Sequence, residues 1–185
     1  MKEYRVFGPP GTGKTTWLSD QIKRAASTYG SHQVLVASFT KAAATELRGR
    51  LPLQSNVGTL HAICYRALGE ERIKIAETML KDWNETHPAY ALSDQEVTVD
   101  EPLREYSSGT EADGLFARMQ VLRAQMVNRE LWPLQVLALH QKWTDWKKNL
   151  SLIDFTDMIE MAYHDLDYAP GQPSVGFFDE VQDFT

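Results

Sequence analysis

The sequence predicts an α/β fold in which a parallel sheet is interrupted by a helical insertion. Three observations predict it: a glycine-rich turn separates a β-prone run from a helical stretch, strand-like and helix-like segments then alternate, and the middle of the chain has helical periodicity with little strand signal. Such alternation is typical of a layered α/β domain. We expect residues 1–68 to form the first part of the α/β core, 69–149 the insertion, and 150–185 the return to the core.

The first strands and helices surround the glycine-rich turn. Residues 4–7 form a short β-prone run, and the segment from Lys14 to about Tyr29 predicts a helix that stops at Gly30. The continuous apolar run at 34–37 has the length of a strand. Because it does not alternate with polar residues, it predicts a strand covered on both faces, as in a parallel sheet.

Further elements of the core follow the same alternation. Thr40 is expected to cap an alanine-rich helix over residues 41–51. Residues 56–59 are a candidate third strand, ahead of a helix over 61–68. After the insertion, residues 152–166 predict another helix.

The insertion is predicted from two apolar stripes at helical spacing. Residues 97–99 are an ambiguous β-like patch within it. The first stripe contains Ile73, Ala76, Leu80 and Trp83, and the second contains Leu115, Met119, Leu122 and Met126. Four tryptophans are expected to pack the core of the insertion, with stacking on bases as the alternative: Trp83, Trp132, Trp143 and Trp146.

Charge and composition exclude several classes of protein. Nineteen Lys and Arg against 25 Asp and Glu give a net charge of −6, which excludes a surface coated in positive charge for nonspecific nucleic-acid binding. Cys64 is the only cysteine, so a disulfide framework and a cysteine-based metal site are excluded, and a reducing cytoplasmic compartment is expected. No apolar run approaches the roughly 20 residues needed to span a bilayer, so we expect no membrane segment.

The glycine-rich turn matches G-x-x-x-x-G-K-[ST] between a predicted strand and a predicted helix. Small residues let the backbone wrap around a phosphate with its N–H groups pointing inward, and a helix N-terminus adds roughly half a positive charge. Lys14 would contact the β- and γ-phosphates, and the Thr15 hydroxyl would bind Mg²⁺. A glycine-rich turn without a ligand is the alternative. The predicted phosphate-binding residues are Gly8, Pro9, Pro10, Gly11, Thr12, Gly13, Lys14, Thr15 and Thr16.

Two acids follow the last apolar run, residues 175–178, which predicts a buried strand. Asp179 and Glu180 would lie at the carboxyl edge of the sheet, where open α/β sheets bind ligands. Asp179 would hold Mg²⁺, and Glu180 would orient and deprotonate an attacking water. Paired acids on a solvated turn are the alternative. Together with the phosphate loop, these acids predict Mg²⁺-dependent hydrolysis of a nucleoside triphosphate.

Four further stretches carry a resemblance to a known family. They are residues 38–44 (SFTKAAA), 58–64 (GTLHAIC), 154–157 (DFTD) and 178–185 (FDEVQDFT). In order and approximate spacing, this set resembles the UvrD/Rep-like superfamily 1 DNA helicases. The resemblance implies a RecA-like P-loop NTPase fold of three α/β/α layers with a helical insertion, which binds ATP and Mg²⁺ against a second RecA-like domain.

The resemblance also implies contacts with single-stranded DNA and a sensor of the γ-phosphate. Phe39 is a candidate for stacking on a base. Thr40, Thr59 and His61 are candidates for contact with the sugar-phosphate backbone. Gln182 resembles the residue that senses the γ-phosphate and couples its loss to domain motion. The alternatives are a core aromatic at Phe39, a helix-start hydrogen bond at His61 and a surface amide at Gln182.

Two polar pairs have more than one possible role. Asp154 and Asp157 are expected either to cap and brace the helix that follows them or to contact DNA. Lys147 and Lys148 are expected at a solvated helix end, with a DNA clamp as the alternative.

By resemblance, the complete protein would couple ATP hydrolysis to translocation on DNA and to its unwinding. We expect a C-terminal RecA-like domain, missing here, to be supplied by the same or another chain, and the chain by itself to be a weak or inactive ATPase. Two other functions remain open: a stand-alone P-loop kinase, and a non-catalytic helicase-like scaffold.

Overall fold

The chain is divided by its backbone contacts into two compact units. They are Met1–Ile63 with Asp167–Phe184, here named the sheet unit, and Cys64–Leu166, here named the helical unit. The sequence places the boundaries at 68/69 and 149/150 instead, and its assignment of domains stays a prediction. The computed structural model describes residues 3–9, 11–50, 56–69, 73–93 and 109–180.

The sheet unit contains a parallel sheet of three strands within the described residues. Their order is β2 (Val57–Thr59), β1 (Val34–Ser38) and β3 (Val175–Phe178), and both neighbours of β1 run parallel to it. Every residue of β1 is buried, because strands flank it on both sides and helices cover both faces. The prediction of a parallel sheet with a fully covered strand is confirmed.

Helices pack on both faces of this sheet. One face is covered by α1 (Lys14–Tyr29) and α2 (Lys41–Arg50), and the other by the first turn of α3 (Leu60–Leu68). Alternate residues of β1 point to opposite faces of the sheet, as strand geometry requires. The first face buries Ile22, Ala25, Val34, Val36, Leu47 and Val57, and the second buries Leu35, Ala37 and Ile63. The predicted α/β/α layering is therefore confirmed.

The prediction of a strand at residues 4–7 is wrong for this structure. No strand is assigned to that segment, and Tyr4 and Phe7 are 80% and 86% exposed. A strand needs a neighbour whose backbone groups pair with its own. Among the described residues, no strand pairs with this β-prone run.

The last strand exists as predicted, but it is not buried. Val175 and Phe177 pack against the core on the α1 face, whereas Gly176 is exposed and Phe178 is 48% exposed. In the described part of the sheet, β3 is an edge strand that pairs only with β1. Within the part of the chain that the structure describes, the face of β3 that carries Gly176 and Phe178 is not covered, so its residues alternate between half-buried and exposed.

The helical unit is built from helices that the sequence predicted as an insertion, together with the helix that follows it. A 3₁₀ turn (Ala76–Met79) leads into α4 (Leu80–Thr86), followed by α5 (Glu111–Ala124), α6 (Leu134–Leu150) and α7 (Phe155–Asp165). Residues 97–99 lie outside the described residues. Across the ranges that the structure describes, no helix combines the length and the apolar character needed to cross a membrane.

Tryptophans form the centre of the helical unit, as predicted. Trp83, Trp132, Trp143 and Trp146 are all buried. The Trp143 ring makes edge-to-face contacts with Trp83 and Phe116, at centroid distances of 5.0 and 4.9 Å. Each of the four indole N–H groups donates to an oxygen, so no polar cost offsets the burial of these large rings.

Met126 does not join the buried stripe on which the sequence placed it. The helix α5 ends at Ala124, and Met126 has a φ of 52° in the turn that follows. Its side chain is 90% exposed, whereas Met119 on the same stripe is fully buried. The helical period applies only while the helix continues, and the turn rotates Met126 away from the core.

Five ionisable residues of the helical unit form what we call the Asp154 cluster: Glu77, Arg123, Lys147, Asp154 and Asp157. Oδ2 of Asp154 accepts hydrogen bonds from Arg123 Nη1 at 2.7 Å and from Lys147 Nζ at 2.6 Å. Asp157 pairs with the same two cations. The prediction of a solvated helix end is wrong for Lys147, which is buried because it faces these acids.

Asp154 also caps α7, which confirms the capping prediction. Its Oδ1 accepts from the Asp157 backbone N–H at 2.7 Å, and Asp157 accepts from the Asp154 N–H at 3.0 Å. Burial by itself raises the pKa of Asp154, but the positive charges of Lys147 and Arg123 outweigh it and lower the pKa to about 2. The carboxylate is therefore ionised at neutral pH.

Glu77 is the exceptional member of the Asp154 cluster. Its Oε1 accepts from the Phe155 N–H at 3.2 Å, and its buried Oε2 has no hydrogen-bond partner among the described residues. Burial and the nearby negative charge of Asp154 raise the pKa of Glu77 well above its usual value. Folding therefore shifts the protonation equilibrium of Glu77 toward the neutral acid.

Candidate functional site

The glycine-rich turn adopts a backbone that glycine alone accommodates readily. Gly11 and Gly13 both have φ of 79°, in the left-handed region where a Cβ is strained. A Cβ on Gly8 would lie 2.8 Å from Thr12 Oγ1, which donates to the Pro9 carbonyl at 2.8 Å. The three glycines of the motif therefore permit a tight loop in front of α1.

The N-terminus of α1 carries no internal counter-charge. Gly13 is its N-cap and makes no side-chain cap, and the first turn contains no acidic residue. The first N–H groups of a helix have no partner within the helix and form its positive end. Lys14 and Thr15 are half-buried in this turn, and Thr16 is exposed. Such a 16-residue helix presents a site that fits an anion.

The Lys14 side chain folds back over the loop. Its ammonium donates to the carbonyls of Gly8 at 2.7 Å and Pro9 at 3.0 Å. An ammonium has three N–H donors, so one donor remains beyond these two bonds. A cleft of about 420 Å³ lies here, lined by the loop, Lys14, Phe7 and Trp17.

Asp179 extends the carboxyl end of β3. Its backbone N–H donates to the Ala37 carbonyl at 2.9 Å, which continues the pairing of β3 with β1 by one residue. The Glu180 N–H then donates to Asp179 Oδ1 at 3.1 Å, and Glu180 turns the chain away with a φ of 56°. Asp179 lies two residues after Phe177 and therefore on the same face, the one that α1 covers.

The phosphate loop and Asp179 share one edge of the sheet. Because α1 ends shortly before β1 begins and packs along the sheet, its N-terminus lies toward the carboxyl ends of the strands. Lys14 and Thr15 are at that N-terminus, and Asp179 follows the carboxyl end of β3 on the same face. This topology brings together the two predicted halves of the site, as the switch-point rule for α/β sheets leads one to expect.

The segments assigned to DNA contact also meet at this edge. Phe39 and Thr40 follow β1, and Thr59 ends the neighbouring β2. Phe39 is half-buried, and Thr40 is exposed with its Oγ1 accepting from the Ala43 N–H at 3.2 Å, which confirms the predicted cap of α2. Thr59 is 1% exposed and its Oγ1 accepts from the Ala62 N–H at 3.2 Å, so this hydroxyl caps α3 rather than lying on the surface.

His61 lies in the first turn of α3 and is half-buried. Burial lowers the pKa of its imidazole to about 4. The ring is therefore neutral at pH 7, where it can donate one hydrogen bond and accept another but carries no positive charge. A contact between His61 and a phosphate would be a hydrogen bond rather than an ion pair.

The residues of this site fit Mg²⁺ held jointly with a phosphate. In the described ranges, no group of three or more His, Cys, Asp or Glu side chains is placed to hold a metal ion. Mg²⁺ commonly takes one or two protein oxygens and completes its shell with water and substrate phosphates. Thr15 and Asp179 at one edge match that pattern. Pro10 and Gln182, which the sequence also assigned to the site, lie outside the described residues.

A family model for the UvrD/REP helicase N-terminal domain matches residues 2–169. The chain belongs to this family. Its fold is accordingly the RecA-like P-loop fold, and the domain to which it corresponds is the ATP-binding lobe of helicases. The matched residues include the phosphate loop and segments 38–44 and 58–64, and they end before Asp179. No curated protein and no solved structure matches the chain.

The sequence pattern predicts no role for Ser38, the first residue of segment 38–44. The structure places this residue between Thr59 and Asp179 at the carboxyl edge, with its side chain fully buried. A hydroxyl at the end of an otherwise apolar strand was the signal that could have drawn attention to it.

Proposed function

We propose that this chain is the ATP-binding lobe of a DNA helicase, which hydrolyses ATP with Mg²⁺ and, in the complete protein, couples hydrolysis to translocation along single-stranded DNA and to unwinding. The observation that carries the proposal is the arrangement of the phosphate loop and Asp179 at one edge and on one face of the sheet. Membership of the UvrD/REP family supports it.

Each residue of the loop has a distinct task in this proposal. The backbone N–H groups from Gly8 to Thr16 surround the phosphates, and the Lys14 ammonium donates to the β- and γ-phosphate oxygens. The Thr15 hydroxyl and the Asp179 carboxylate hold Mg²⁺. When bound, Mg²⁺ neutralises charge on the phosphate oxygens. The left-handed glycines and the uncapped helix support this assignment, because they form a tight loop whose helix N-terminus carries no counter-charge.

Two residues of the acidic motif complete the chemistry. Glu180 orients the attacking water and accepts its proton, as a carboxylate next to the metal ligand can do. Gln182 senses the γ-phosphate and transmits its loss to domain motion. The support for Glu180 is its position beside Asp179, whose carboxylate accepts from its N–H.

Single-stranded DNA is the proposed polymer. Phe39 would stack on a base, an interaction worth about 1–3 kcal/mol. Thr40 and His61 would donate or accept hydrogen bonds at the sugar-phosphate backbone, and Thr59 would hold the start of α3 in place for them. The support is that the ends of β1 and β2 are neighbours in the sheet, which gathers these residues at one edge.

A second RecA-like domain, in the same or another chain, would complete the catalytic site. In phosphoryl transfer, an arginine supplied from outside the nucleotide-binding lobe is worth about 10³- to 10⁵-fold in rate. We therefore expect this lobe by itself to bind MgATP and to hydrolyse it weakly or not at all.

The decisive experiment replaces Lys14 and measures nucleotide binding by this chain. Lys14→Ala is expected to weaken MgATP binding at least tenfold, because a charge-assisted contact to the phosphates is lost. Lys23→Ala, which removes an exposed lysine from the same helix, is the matched control and should bind like the parent chain. Equal binding by the Lys14 variant and the parent would refute the assignment of the site.

Turnover assays separate the rival functions. In a form extended by a second RecA-like domain, ATPase activity should rise strongly with single-stranded DNA and disappear in Lys14→Ala. Transfer of phosphate to a hydroxyl acceptor without any effect of DNA would favour the kinase. Binding of ATP weaker than millimolar would favour a non-catalytic scaffold.

A further inference from the structure

Ser38 has a buried hydroxyl without a partner in the described structure. The residue is the last of β1 and is 0% exposed, and its Oγ makes no hydrogen bond to any residue that the structure describes. Leaving a buried hydroxyl unpaired costs free energy, so such groups are uncommon in native proteins. Ser19, the other serine that is buried among the described residues, shows the usual solution, because its Oγ donates to the Thr15 carbonyl at 2.9 Å.

The sheet register puts Ser38 directly beside the proposed metal ligand. Ala37 pairs with Phe178, and the Asp179 N–H donates to the Ala37 carbonyl, so Ser38 and Asp179 are the next neighbours along the two strands. In a parallel sheet, neighbours lie about 4.8 Å apart and point to the same face. That face is the one covered by α1, where Val36 and Phe177 pack one step earlier.

In this register, the neighbouring acceptor is the Asp179 carboxylate, which can accept further hydrogen bonds. Oδ1 of Asp179 accepts from the Glu180 N–H, and an ionised carboxylate has about four acceptor positions on its two oxygens. On the other side of Ser38, Thr59 already uses its hydroxyl to accept from the Ala62 N–H. Rotation of Ser38 between staggered rotamers would redirect its hydroxyl without any movement of the backbone.

We propose that Ser38 is a positioning residue for Asp179: in the Mg²⁺-nucleotide state its hydroxyl donates to the Asp179 carboxylate and holds it in the orientation that binds the metal ion. The inference rests on the proposed function, since it assigns Ser38 to the same site. Mutating a group that hydrogen-bonds to a metal ligand and orients it typically lowers metal affinity by about 10- to 100-fold. The free-energy cost of the unpaired hydroxyl is then offset only when Mg²⁺ and nucleotide are bound.

The test is a Mg²⁺ titration of nucleotide binding by the whole chain, followed with a fluorescent ATP analogue. Ser38→Ala should raise the Mg²⁺ concentration at the midpoint about tenfold or more, while affinity for the analogue in EDTA stays unchanged. Ser38→Thr keeps the hydroxyl and should restore the midpoint to near that of the parent. Ser19→Ala removes a buried hydroxyl that is already paired within its helix, and it serves as the control with an unchanged midpoint.

Thermal unfolding in EDTA distinguishes positioning from a purely structural role. Because the hydroxyl is unpaired in the unloaded chain, Ser38→Ala should leave the Tm unchanged or raise it. A lowered Tm with an unchanged Mg²⁺ midpoint would overturn the proposal, and so would a threonine variant as impaired as the alanine variant. Should Ser38→Ala fail to fold, Ser38→Cys preserves the size of the side chain and is judged by the same midpoint.

The outcome separates this inference from the function on which it rests. If the parent chain shows no Mg²⁺-dependent nucleotide binding, the proposed function fails. If the parent binds with a clear Mg²⁺ midpoint that Ser38→Ala leaves within a factor of about two, well short of the 10-fold minimum for such groups, only the role of Ser38 fails.

Discussion

The helical unit and the sheet unit differ in how completely each unit pairs its polar groups and covers its apolar side chains with its own residues. In the helical unit, four tryptophans are buried with their N–H groups paired, and the cations of the Asp154 cluster contact its acids. In the sheet unit, the described part of β3 has an unpaired edge, and Tyr4 and Phe7 are exposed. Helices satisfy their backbone bonds internally, whereas strands depend on neighbours. The helical unit can therefore pair its backbone groups more completely than the sheet unit can.

The same difference marks where function lies. The uncapped N-terminus of α1 and the buried Ser38 hydroxyl, which has no partner among the described residues, are both in the sheet unit, and Gly11 and Gly13 of the phosphate loop lie beside that N-terminus. Locally unfavourable features of this kind persist where a ligand or partner compensates for them. The helical unit has a comparable exception in Glu77, which lies in its interior rather than at a cleft. Four predictions test the contrast, from the largest expected effect to the smallest.

Asp154→Asn should destabilise the helical unit. The change keeps the shape of the side chain but leaves the buried charges of Arg123 and Lys147 with one acid fewer. Removing one partner of a buried ion pair costs about 3–5 kcal/mol, and we expect a loss of that size in the free energy of unfolding measured with urea. Asp145→Asn, at an exposed site that accepts hydrogen bonds from Gln141, should change it by less than about 0.5 kcal/mol. Equal effects would show that the cluster is not a stabilising feature.

Glu77→Gln should replace the member of the Asp154 cluster whose pKa is raised and whose Oε2 has no partner among the described residues. The folded pKa of Glu77 is raised, so the folded state binds more protons than the unfolded state, and its contribution to stability falls as pH rises above about 4.5. The amide has no such penalty, and its Oε1 can still accept from the Phe155 N–H. We expect the variant to be more stable than the parent at pH 8, on the order of 1 kcal/mol, with the difference vanishing near pH 4.5. A gain that is independent of pH would contradict the raised pKa.

The helix caps offer a matched comparison of the two units. Thr40 caps α2 in the sheet unit with one bond to the Ala43 N–H, whereas Thr110 and Asp113 form a reciprocal capping box at α5 in the helical unit. Replacing a threonine cap by alanine costs about 0.5–2 kcal/mol, and we expect Thr110→Ala to lie above Thr40→Ala within that range. Hydrogen exchange at the first turn of each helix measures the two losses. The reverse order would mean that the reciprocal box adds nothing here.

Phe178→Lys should leave stability nearly unchanged, within about 0.5 kcal/mol, since the side chain is half exposed and lies on an edge strand. Charged side chains protect exposed edges from pairing with other chains, so light scattering at high protein concentration should fall. Phe116→Lys, which puts the same charge into the helical core, is expected to prevent folding. A destabilised Phe178 variant would indicate that this face of β3 is covered.

Much of the fold could be predicted from local signals. The run Val34–Ser38 contains no polar residue before its end, and it forms the buried central strand. Gly30 ends α1, and Thr40 and Asp154 cap the helices after them. These outcomes depend on interactions within a few residues of each other, and such interactions are readable from sequence.

Most of the errors arose where contacts between distant segments of the chain decide the outcome, and one arose where a helix ends. Residues 4–7 have the composition of a strand, yet composition does not supply the neighbour that a strand requires. Lys147 reads as a solvated lysine at the end of a helix, and only the approach of Asp154 and Asp157 buries it. Met126 continues the helical period in the sequence, but α5 ends before this residue.

The sequence by itself determined the phosphate loop, the acids that follow the last strand, and membership of a helicase family, because each depends on residue types at fixed spacing along the chain. The tertiary structure alone decided that Asp179 shares a face with α1, that Ser38 lies beside it without a partner, and that Glu77 is buried near Asp154. Those relations arise from the register of parallel strands and the packing of distant helices, and spacing along a chain does not encode distance between its segments.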